Sequence, residues 1–86
     1  MIVRFLLFAT AREAAGRSTD QFELEADAPL EELVSLAVER YGVRFASVLE
    51  TARVWLNGDE PAHGPATPLH ENDEIAVLPP VSGGGC

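Results

Sequence analysis

This chain has 86 residues, of which 47% are hydrophobic, and it carries a formal net charge of −8. One small domain with a modest core is expected, with too little chain for a deep catalytic cleft. The acidic balance argues against binding to nucleic acid or to an anionic membrane surface, and no apolar run reaches membrane-spanning length. A single cysteine and the lack of a secretory signal pattern predict a cytoplasmic protein.

The first part of the chain is predicted to form a strand, a short helix and a second strand. Residues 2–8 are apolar on both faces except at Arg4, which is typical of a central strand. The segment 9–16 holds helix formers and ends at a glycine, which favours a helical turn. Strict alternation over 18–26 indicates a half-buried strand, whose inner face would comprise Phe22, Leu24 and Ala26.

The middle of the chain, 27–42, is the clearest helix. Pro29 suits its first turn, Glu31 and Glu32 lie near the positive end of the helix dipole, and Gly42 can end it in a left-handed conformation. An apolar stripe indicates the face that packs on a sheet. It comprises Leu30, Leu33, Val34, Ala37, Val38 and Tyr41.

The rest of the chain is predicted to contain a further helical turn over 45–52 and then two strands. The first, 53–56, runs into an Asn57-Gly58 turn, and three prolines keep the next stretch irregular. A tight turn at 71–73, in which Asn72 tolerates a positive φ, leads to the second strand over 74–78.

The order strand, strand, helix, strand, strand predicts an α+β fold, the β-grasp arrangement of ubiquitin-like proteins. The first two strands form a hairpin, the helix covers one face of a mixed sheet, and the last strand lies parallel beside the first. We expect a β-grasp domain over 1–78 and a flexible tail over 79–86, which holds two prolines and three glycines. The sheet face opposite the helix is left for solvent or a partner.

The residue patterns of ordinary active sites are missing from the sequence. His63 and His70 lie in a proline-rich stretch without the third ligand that a zinc site needs, so no metal is expected. Cys86 has no base near it in sequence to activate it as a nucleophile. Acidic pairs such as Glu31-Glu32 are typical of a solvated helix surface. No cofactor is therefore expected to bind to this chain.

The residue types after 78 instead point to chemistry on a terminal carboxyl group. A carboxylate is inert until it is activated, and adenylation with ATP by a separate enzyme is the general route. Gly83 and Gly84 have no side chain to block a narrow passage in such an enzyme, while Pro79 and Pro80 stiffen the approach to it. The activated acyl group can then accept sulfur, which gives a thiocarboxylate, or an amine, which gives an amide.

Two segments carry a resemblance to a known family. The start, LLFATAREAAG, resembles the FFAxxRE…G opening of the MoaD/ThiS family of sulfur carriers, and NDEIAVLPPVSGG resembles its GDEVAFFPPVxGG ending. Nearly the whole chain is covered. The double proline, which ThiS proteins usually lack, makes the chain more similar to the MoaD branch, the small subunits of molybdopterin synthase.

The resemblance implies three partners and assigns roles to individual residues. The partners are a MoeB-like adenylating enzyme that uses ATP, a MoaE-like large subunit and, in some carriers, a JAMM-type metalloprotease. Gly84 matches the glycine that becomes the thiocarboxylate, and Gly83 matches its neighbour in the passage. The positions expected at partner contacts are Phe8, Arg12, Leu78, Pro79, Pro80 and Val81; from the sequence alone, Phe8 and Leu78 are equally well explained as core residues.

One departure from the family pattern predicts a processing step. The family ends at Gly-Gly, whereas Gly85 and Cys86 follow Gly84 here. A carboxylate on cysteine cannot yield a glycine thiocarboxylate. We therefore expect cleavage between Gly84 and Gly85; the other interpretation is that the two surplus residues have no role.

Other functions remain open at this point. The chain could carry sulfur for another pathway, such as a thiolated metabolite, a tRNA or an amino acid. It could be a ubiquitin-like protein modifier, or a β-grasp binding module with an inert tail. The net charge of −8 also predicts steering toward a basic partner.

Overall fold

The computed structural model describes residues 1–80 of the chain. Four strands and three helices follow one another in it. In chain order they are β1 (Ile2–Leu7), α1 (Ala9–Ala15), β2 (Thr19–Glu23), α2 (Leu30–Tyr41), α3 (Val43–Leu49), β3 (Arg53–Leu56), a single 3-10 turn (Gly64–Ala66) and β4 (Glu74–Leu78).

The four strands form one mixed sheet in the order β2-β1-β4-β3. β1 pairs with β2 in antiparallel fashion and with β4 in parallel fashion, and β3 runs antiparallel to β4. The register aligns Phe5 with Asp20 on one side and with Ile75 on the other. The predicted β-grasp topology, with the first and last strands parallel at the centre, is confirmed.

The core lies between one face of the sheet and the helices. Alternate residues of the two central strands are almost fully buried: Val3, Phe5 and Leu7 on β1, and Ile75 and Val77 on β4. The ring of Phe5 lies 5.5 Å from that of Phe22 and 6.2 Å from that of Phe45, in edge-to-face geometry. Against them α2 packs its predicted stripe, in which Leu30, Leu33 and Ala37 are buried and Val34, Val38 and Tyr41 are half-buried.

A polar cluster ties the end of α2 to the edge strand β2. Asp20 accepts hydrogen bonds from the Tyr41 hydroxyl at 2.6 Å and from Arg40 at 2.9 Å, and Arg17 lies 3.3 Å from its other oxygen. The Arg40 guanidinium also lies 3.9 Å from the centre of the Phe22 ring. Three of these contacts, those of Tyr41 and Arg40, therefore hold the helix end on the strand.

The structure differs from the sequence predictions at several boundaries. The second strand stops at Glu23; Leu24 still exchanges hydrogen bonds of 2.9 and 2.7 Å with Met1, and the pairing goes no further. Ala26 is exposed rather than buried. The turn expected over 45–52 is a two-turn helix, α3. Gly42 has φ 102° and ψ −173°, which is not the left-handed helical cap that the sequence suggested. This positive-φ conformation, which is open mainly to glycine, links α2 to α3.

Two predicted turns have the backbone that their residues favour. Asn57 and Gly58 have φ values of 52° and 86°, as a type I′ turn requires, and Asn72 has φ 67°. The Asn57 side chain also receives the Glu74 N–H at 2.9 Å and donates to Asp73 at 3.0 Å. The turn after β3 is thereby fixed to the start of β4.

Candidate functional site

The sheet face opposite the helices is open, and strand register determines which residues lie on it. Because side chains alternate along a strand, the residues between the buried ones face away from the core. Leu6 of β1 is aligned with Ala76 of β4, which is in turn aligned with Trp55 of β3. These three residues form a row across the sheet, and each is half-buried.

The next row is more exposed. Leu78 follows Ala76 on the same face of β4 and is aligned with Arg53 of β3. Phe8 continues β1 beside it, since its N–H donates to the Val77 carbonyl at 3.3 Å. Phe8 is 44% exposed and Leu78 36% exposed, which is high for such large apolar side chains.

Together the two rows border a shallow apolar depression of about 380 Å³. Its lining includes Leu6, Phe8, Trp55, Ala76 and Leu78, with Glu74 and Gly58 at its edge. Ala76 has the smallest side chain of the apolar group and therefore forms the floor between larger neighbours. A concave apolar surface with aromatic walls is the form that the central part of a protein interface takes.

Polar groups limit this apolar area along the sheet. Arg4 forms an ion pair with Glu74, its register partner on β4, and Gln21 of β2 is aligned with Arg4. Thr19 of β2 is aligned with Leu6. The open face is therefore apolar toward the carboxyl ends of β1 and β4 and polar toward β2 and the start of β4.

The residues that lead into the tail start at this apolar end. β4 ends at Leu78, after which Pro79 is half-buried and Pro80 exposed. Arg12 lies one helical turn beyond Phe8, because its N–H donates to the Phe8 carbonyl at 3.3 Å. Within residues 1–80, no carboxylate oxygen lies within 4 Å of the Arg12 or Arg53 guanidinium, so both cations are available to a partner.

The structure thus brings together every predicted contact residue that it describes. Phe8, Arg12, Leu78, Pro79 and Pro80 all lie at one end of the sheet. Core positions for Phe8 and Leu78, which the sequence left open, are wrong because both side chains are exposed. The remaining predicted site residues lie outside the described residues: Val81, Gly83, Gly84, Gly85 and Cys86.

Trp55, Leu6 and Ala76 belong to the open face but were not identified as site residues from the sequence. A signal for Trp55 was present: it is the chain's single tryptophan and alternates with Val54 and Leu56, which pack on the core. Only the register across three strands shows that these residues adjoin Phe8 and Leu78.

Neither a metal site nor a membrane-spanning helix is found among the described residues. Among residues 1–80, no group of three or more His, Cys, Asp or Glu side chains is placed to hold a metal ion. His70 is exposed and lies 3.7 Å from Asp27 and 3.9 Å from Asp73, while the His63 N–H donates to Thr67. In the same part of the chain, no helix has the length and apolar character needed to cross a bilayer.

Comparison with known proteins gives a family and several relatives. The model of the ThiS family matches residues 5–84. A protein named molybdopterin synthase sulfur carrier subunit, from Chlamydomonas reinhardtii, is 33% identical over 98% of this chain and 100% of its own. Small archaeal modifier protein 3 from Haloferax volcanii is also 33% identical, over 98% and 100% of the two chains.

Solved structures share the fold over almost the whole chain. SAMP1 from Haloferax volcanii superposes with a TM-score of 0.86 at 26% identity and covers 98% of this chain and 100% of its own. A chain in the complex of subunits 1 and 2 of the molybdopterin-converting factor from Helicobacter pylori gives a TM-score of 0.67 at 27% identity, with 98% and 100% coverage.

Proposed function

Because the chain belongs to the ThiS family, we propose that it is the sulfur carrier subunit of a molybdopterin synthase and acts in molybdenum cofactor biosynthesis. The observation that carries the proposal is the apolar depression around Ala76, which adjoins the point where the tail leaves the sheet. The open face docks on a large subunit, and the residues after β4 deliver the reactive group. The likeness to a chain of the Helicobacter pylori two-subunit complex supports this division of roles.

The carrier supplies a carboxyl group, and its partners supply the catalysis. In an adenylating enzyme, a carboxylate oxygen of the terminal glycine attacks the α-phosphorus of ATP, and pyrophosphate leaves. Hydrosulfide, or a donor of sulfur at the same oxidation level, then attacks the acyl carbon and displaces AMP, and loss of a proton leaves the thiocarboxylate. On the large subunit this sulfur forms a bond to the pterin precursor, and water attacks the acyl carbon, which releases the sulfur and restores the glycine carboxylate. We assign these steps to the cytosol, whose reducing conditions suit a chain with a single cysteine.

The position of Leu78 at the end of β4 leaves enough chain for the terminal glycine to reach a site some distance from the sheet. Gly84 lies six residues beyond Leu78. At about 3.3–3.6 Å per residue, six extended residues span roughly 20 Å. The apolar face can therefore remain docked on the partner surface while the glycine enters a site within the partner. Arg12 and Arg53, which flank the exit at the same end of the sheet, contact the rim of that passage.

Cleavage between Gly84 and Gly85 forms part of the proposal. The segment PPVSGG fits the family ending without a gap, so Gly84 is the residue to activate and at least Gly85 and Cys86 must be removed. Cleavage after Gly85 would instead place the acyl carbon about 3.3–3.6 Å too far into the partner site. A misplacement of about 1 Å can already cost a hundredfold in rate. A JAMM-type metalloprotease is the class of enzyme that we assign to this step.

Mass spectrometry of the protein from its native cells tests the proposal. The expected species ends at Gly84 and is heavier by the exchange of one oxygen for sulfur. In a host without the protease, the full chain should remain free of thiocarboxylate, whereas a variant that stops at Gly84 should acquire it from the adenylating enzyme. Sulfur transfer by protein that still carries Cys86 would contradict the cleavage step.

A second candidate function is that of a protein modifier. The observation that favours it is the 33% identity to small archaeal modifier protein 3. The chain has no lysine, so a conjugate could not be extended through lysine side chains of the modifier itself. Denaturing gels of cell lysate separate the two functions, because only a modifier forms persistent adducts of high mass. A carrier for a different sulfur pathway would retain the thiocarboxylate but would not restore molybdopterin synthesis with a large subunit.

The net negative charge of the chain contributes to docking, because it attracts the partner electrostatically before contact. The net charge of −8 attracts a partner with a basic surface from a distance and raises the association rate. Association with the large subunit should therefore slow as salt rises. An association rate that does not depend on salt would remove steering from the proposal.

A further inference from the structure

The outer edge of β3 has one residue whose backbone N–H and C=O groups are not hydrogen-bonded within residues 1–80. Among the strands of residues 1–80, β3 is the outermost one beside β4, so one of its edges has no strand neighbour there. Asn57 donates its N–H to the Glu74 carbonyl at 2.8 Å, which makes these two residues a hydrogen-bonded pair. Because such pairs alternate along antiparallel strands, Trp55 also bonds toward β4, whereas Val54 and Leu56 direct their N–H and C=O groups outward.

The chain itself uses the outward groups of Leu56. Its N–H donates to the Asp59 carbonyl at 2.7 Å, and its carbonyl accepts the Asp59 N–H at 3.1 Å. Within residues 1–80, the outward N–H and C=O of Val54 have no hydrogen-bond partner. Both groups point outward from the same residue. A strand added at this edge could therefore form a pair of backbone hydrogen bonds with Val54.

An apolar trough lies along this edge. A groove of about 400 Å³ lies between the first turns of α2 and the proline-rich stretch, and its lining includes Leu30, Val34, Val54, Pro61 and Pro65. A smaller depression of about 260 Å³ shares Val54, Pro61 and Gly64 with the groove and reaches Trp55 on the other side of the strand. The two form one trough that passes the β3 edge at Val54.

The charged residues that line the trough determine which side chains a bound peptide segment can carry. Glu31 lines the groove and Glu60 lines the smaller depression. Neither carboxylate has a cation within 4 Å among the described residues, and Arg53, near Glu60, is the basic residue among those that line the trough. A ligand that places a basic side chain near Glu31 would therefore gain an ion pair, and an acidic one would be repelled.

We propose that this trough is a second docking site, which binds an extended segment of a partner protein in which a basic residue stands two positions from an apolar one, so that both side chains face the groove. The segment's backbone pairs with the N–H and C=O of Val54. Its apolar side chain enters the groove beside Leu30 and Val34, and its basic side chain lies at Glu31. The larger groove beside Leu30 and Val34 is on the helix side of the sheet, so a segment seated in it can stay bound while the open face around Ala76 is docked on another protein. Only the smaller depression shares Trp55 with that face. The second docking site does not depend on sulfur transfer.

Amide NMR of the full chain tests the site with a defined probe. The probe is a capped six-residue peptide, Arg-Thr-Val-Thr-Arg-Thr, whose arginine and valine side chains lie on the same face of an extended strand. We expect saturable shifts at Val54, Val34 and Gly64, with Leu6 and Ala76 unchanged. The same peptide with glutamate for arginine should not bind. A version methylated on alternate backbone nitrogens, which removes the donors along one edge, should lose most of its affinity.

A matched pair of variants isolates the charge. Glu31→Arg should weaken peptide binding about fivefold, the effect of a surface ion pair near the upper end of its range. Glu32→Arg changes the same charge on the next residue, which is exposed and does not line the trough, and should leave binding unchanged.

Three results would overturn the proposal. Equal losses in the two variants would show attraction to the acidic protein as a whole, and shifts centred on Leu6 and Ala76 would place the peptide on the open face. Concentration-dependent shifts at Val54 without peptide, together with a dimer in light scattering, would make a second copy of this chain the occupant.

Discussion

The hydroxyl oxygen of Tyr41 lies 2.6 Å from Oδ2 of Asp20 and donates its proton to that carboxylate. Burial alone would raise the pKa of Asp20. Hydrogen bonds from Tyr41, Arg40 and the Gln21 N–H outweigh burial and lower the pKa from 3.8 to about 2. Burial, and then the bond to the Asp20 carboxylate, raise the pKa of Tyr41 above its ordinary value.

This shift predicts a dependence of stability on acid pH. Because the pKa of Asp20 is lower in the folded state, the unfolded state binds more protons between pH 3.8 and about 2. The stabilisation from the Asp20 carboxylate is therefore complete above about pH 4 and is lost as pH falls toward 2. Asp20→Asn should lower the urea midpoint near pH 5, and the difference from the natural chain should shrink toward pH 2. A difference that stays constant over this range would contradict the assignment.

Phe8→Asp should abolish docking on the large subunit while the domain remains folded. The side chain is 44% exposed, so the change costs little stability, but it places a charge in the apolar depression. A loss of binding of at least about thirtyfold, which corresponds to the 2 kcal/mol of an interface hot spot, is expected in calorimetry.

Gln21→Asp provides the control for this experiment, since Gln21 lies on the same sheet face but beyond the apolar rows. It should bind nearly as well as the natural chain. The emission of Trp55, the single tryptophan, gives an independent signal: it should shift to shorter wavelength on docking and remain unchanged in Phe8→Asp. Equal binding by Phe8→Asp and Gln21→Asp would show that the docking surface lies elsewhere.

Phe5→Ala should be among the most damaging core substitutions. Phe5 is fully buried, and its ring packs edge-to-face on Phe22 and Phe45. Removing it leaves a cavity at the centre of the sheet and should cost about 3–5 kcal/mol in the free energy of unfolding, measured with urea. Phe8→Ala, which truncates an exposed ring of the same type, should cost less than about 0.5 kcal/mol. Similar costs at the two positions would contradict the assignment of faces.

Ala9→Gly should stabilise the chain, although glycine usually weakens a helix. Ala9 has φ 50°, a left-handed conformation that costs a residue with a Cβ about 1–2 kcal/mol. Glycine relieves that strain, so the net gain should be about 0.5–1 kcal/mol in urea unfolding. Ala14→Gly, in the same helix α1, should instead destabilise by about 1 kcal/mol. A loss in both variants would show that Ala9 is not strained.

Local patterns in the sequence predict most of the secondary structure. Strand β3 and strand β4 have the bounds expected from alternation and from the turns at Asn57 and Asn72. Strand β2 is shorter than its alternating pattern because its pairing with the start of the chain goes no further than Leu24 and Met1. Helix α3 was underestimated because its seven residues, most of them apolar, are too short a segment to show a helical period.

The proposed docking face was predictable only in part, because pairing between distant segments brings its residues together. Phe8 and Leu78 were identified through the resemblance to a family, and the sequence alone could not distinguish exposed from core positions for them. Trp55 and Ala76 became neighbours of this pair only through the register of β3 with β4. Register depends on turn geometry and on which face each strand buries, so it could not be derived from either strand by itself.

The position of β4 in the sheet also determines at which stage of folding the molecule becomes able to bind its partner. β4 is the last described strand along the chain, yet it lies between β1 and β3. It pairs Arg4 with Glu74, residues that are 70 positions apart. Such long-range pairing slows folding toward the millisecond-to-second range. Until β4 has inserted, Leu78 and Ala76 are not beside Phe8 and Trp55, and a partially folded copy has no docking face. In the proposed function the segment to be activated continues directly from this strand, so a partner that requires both the face and the segment would load sulfur on completed domains and not on partially folded ones.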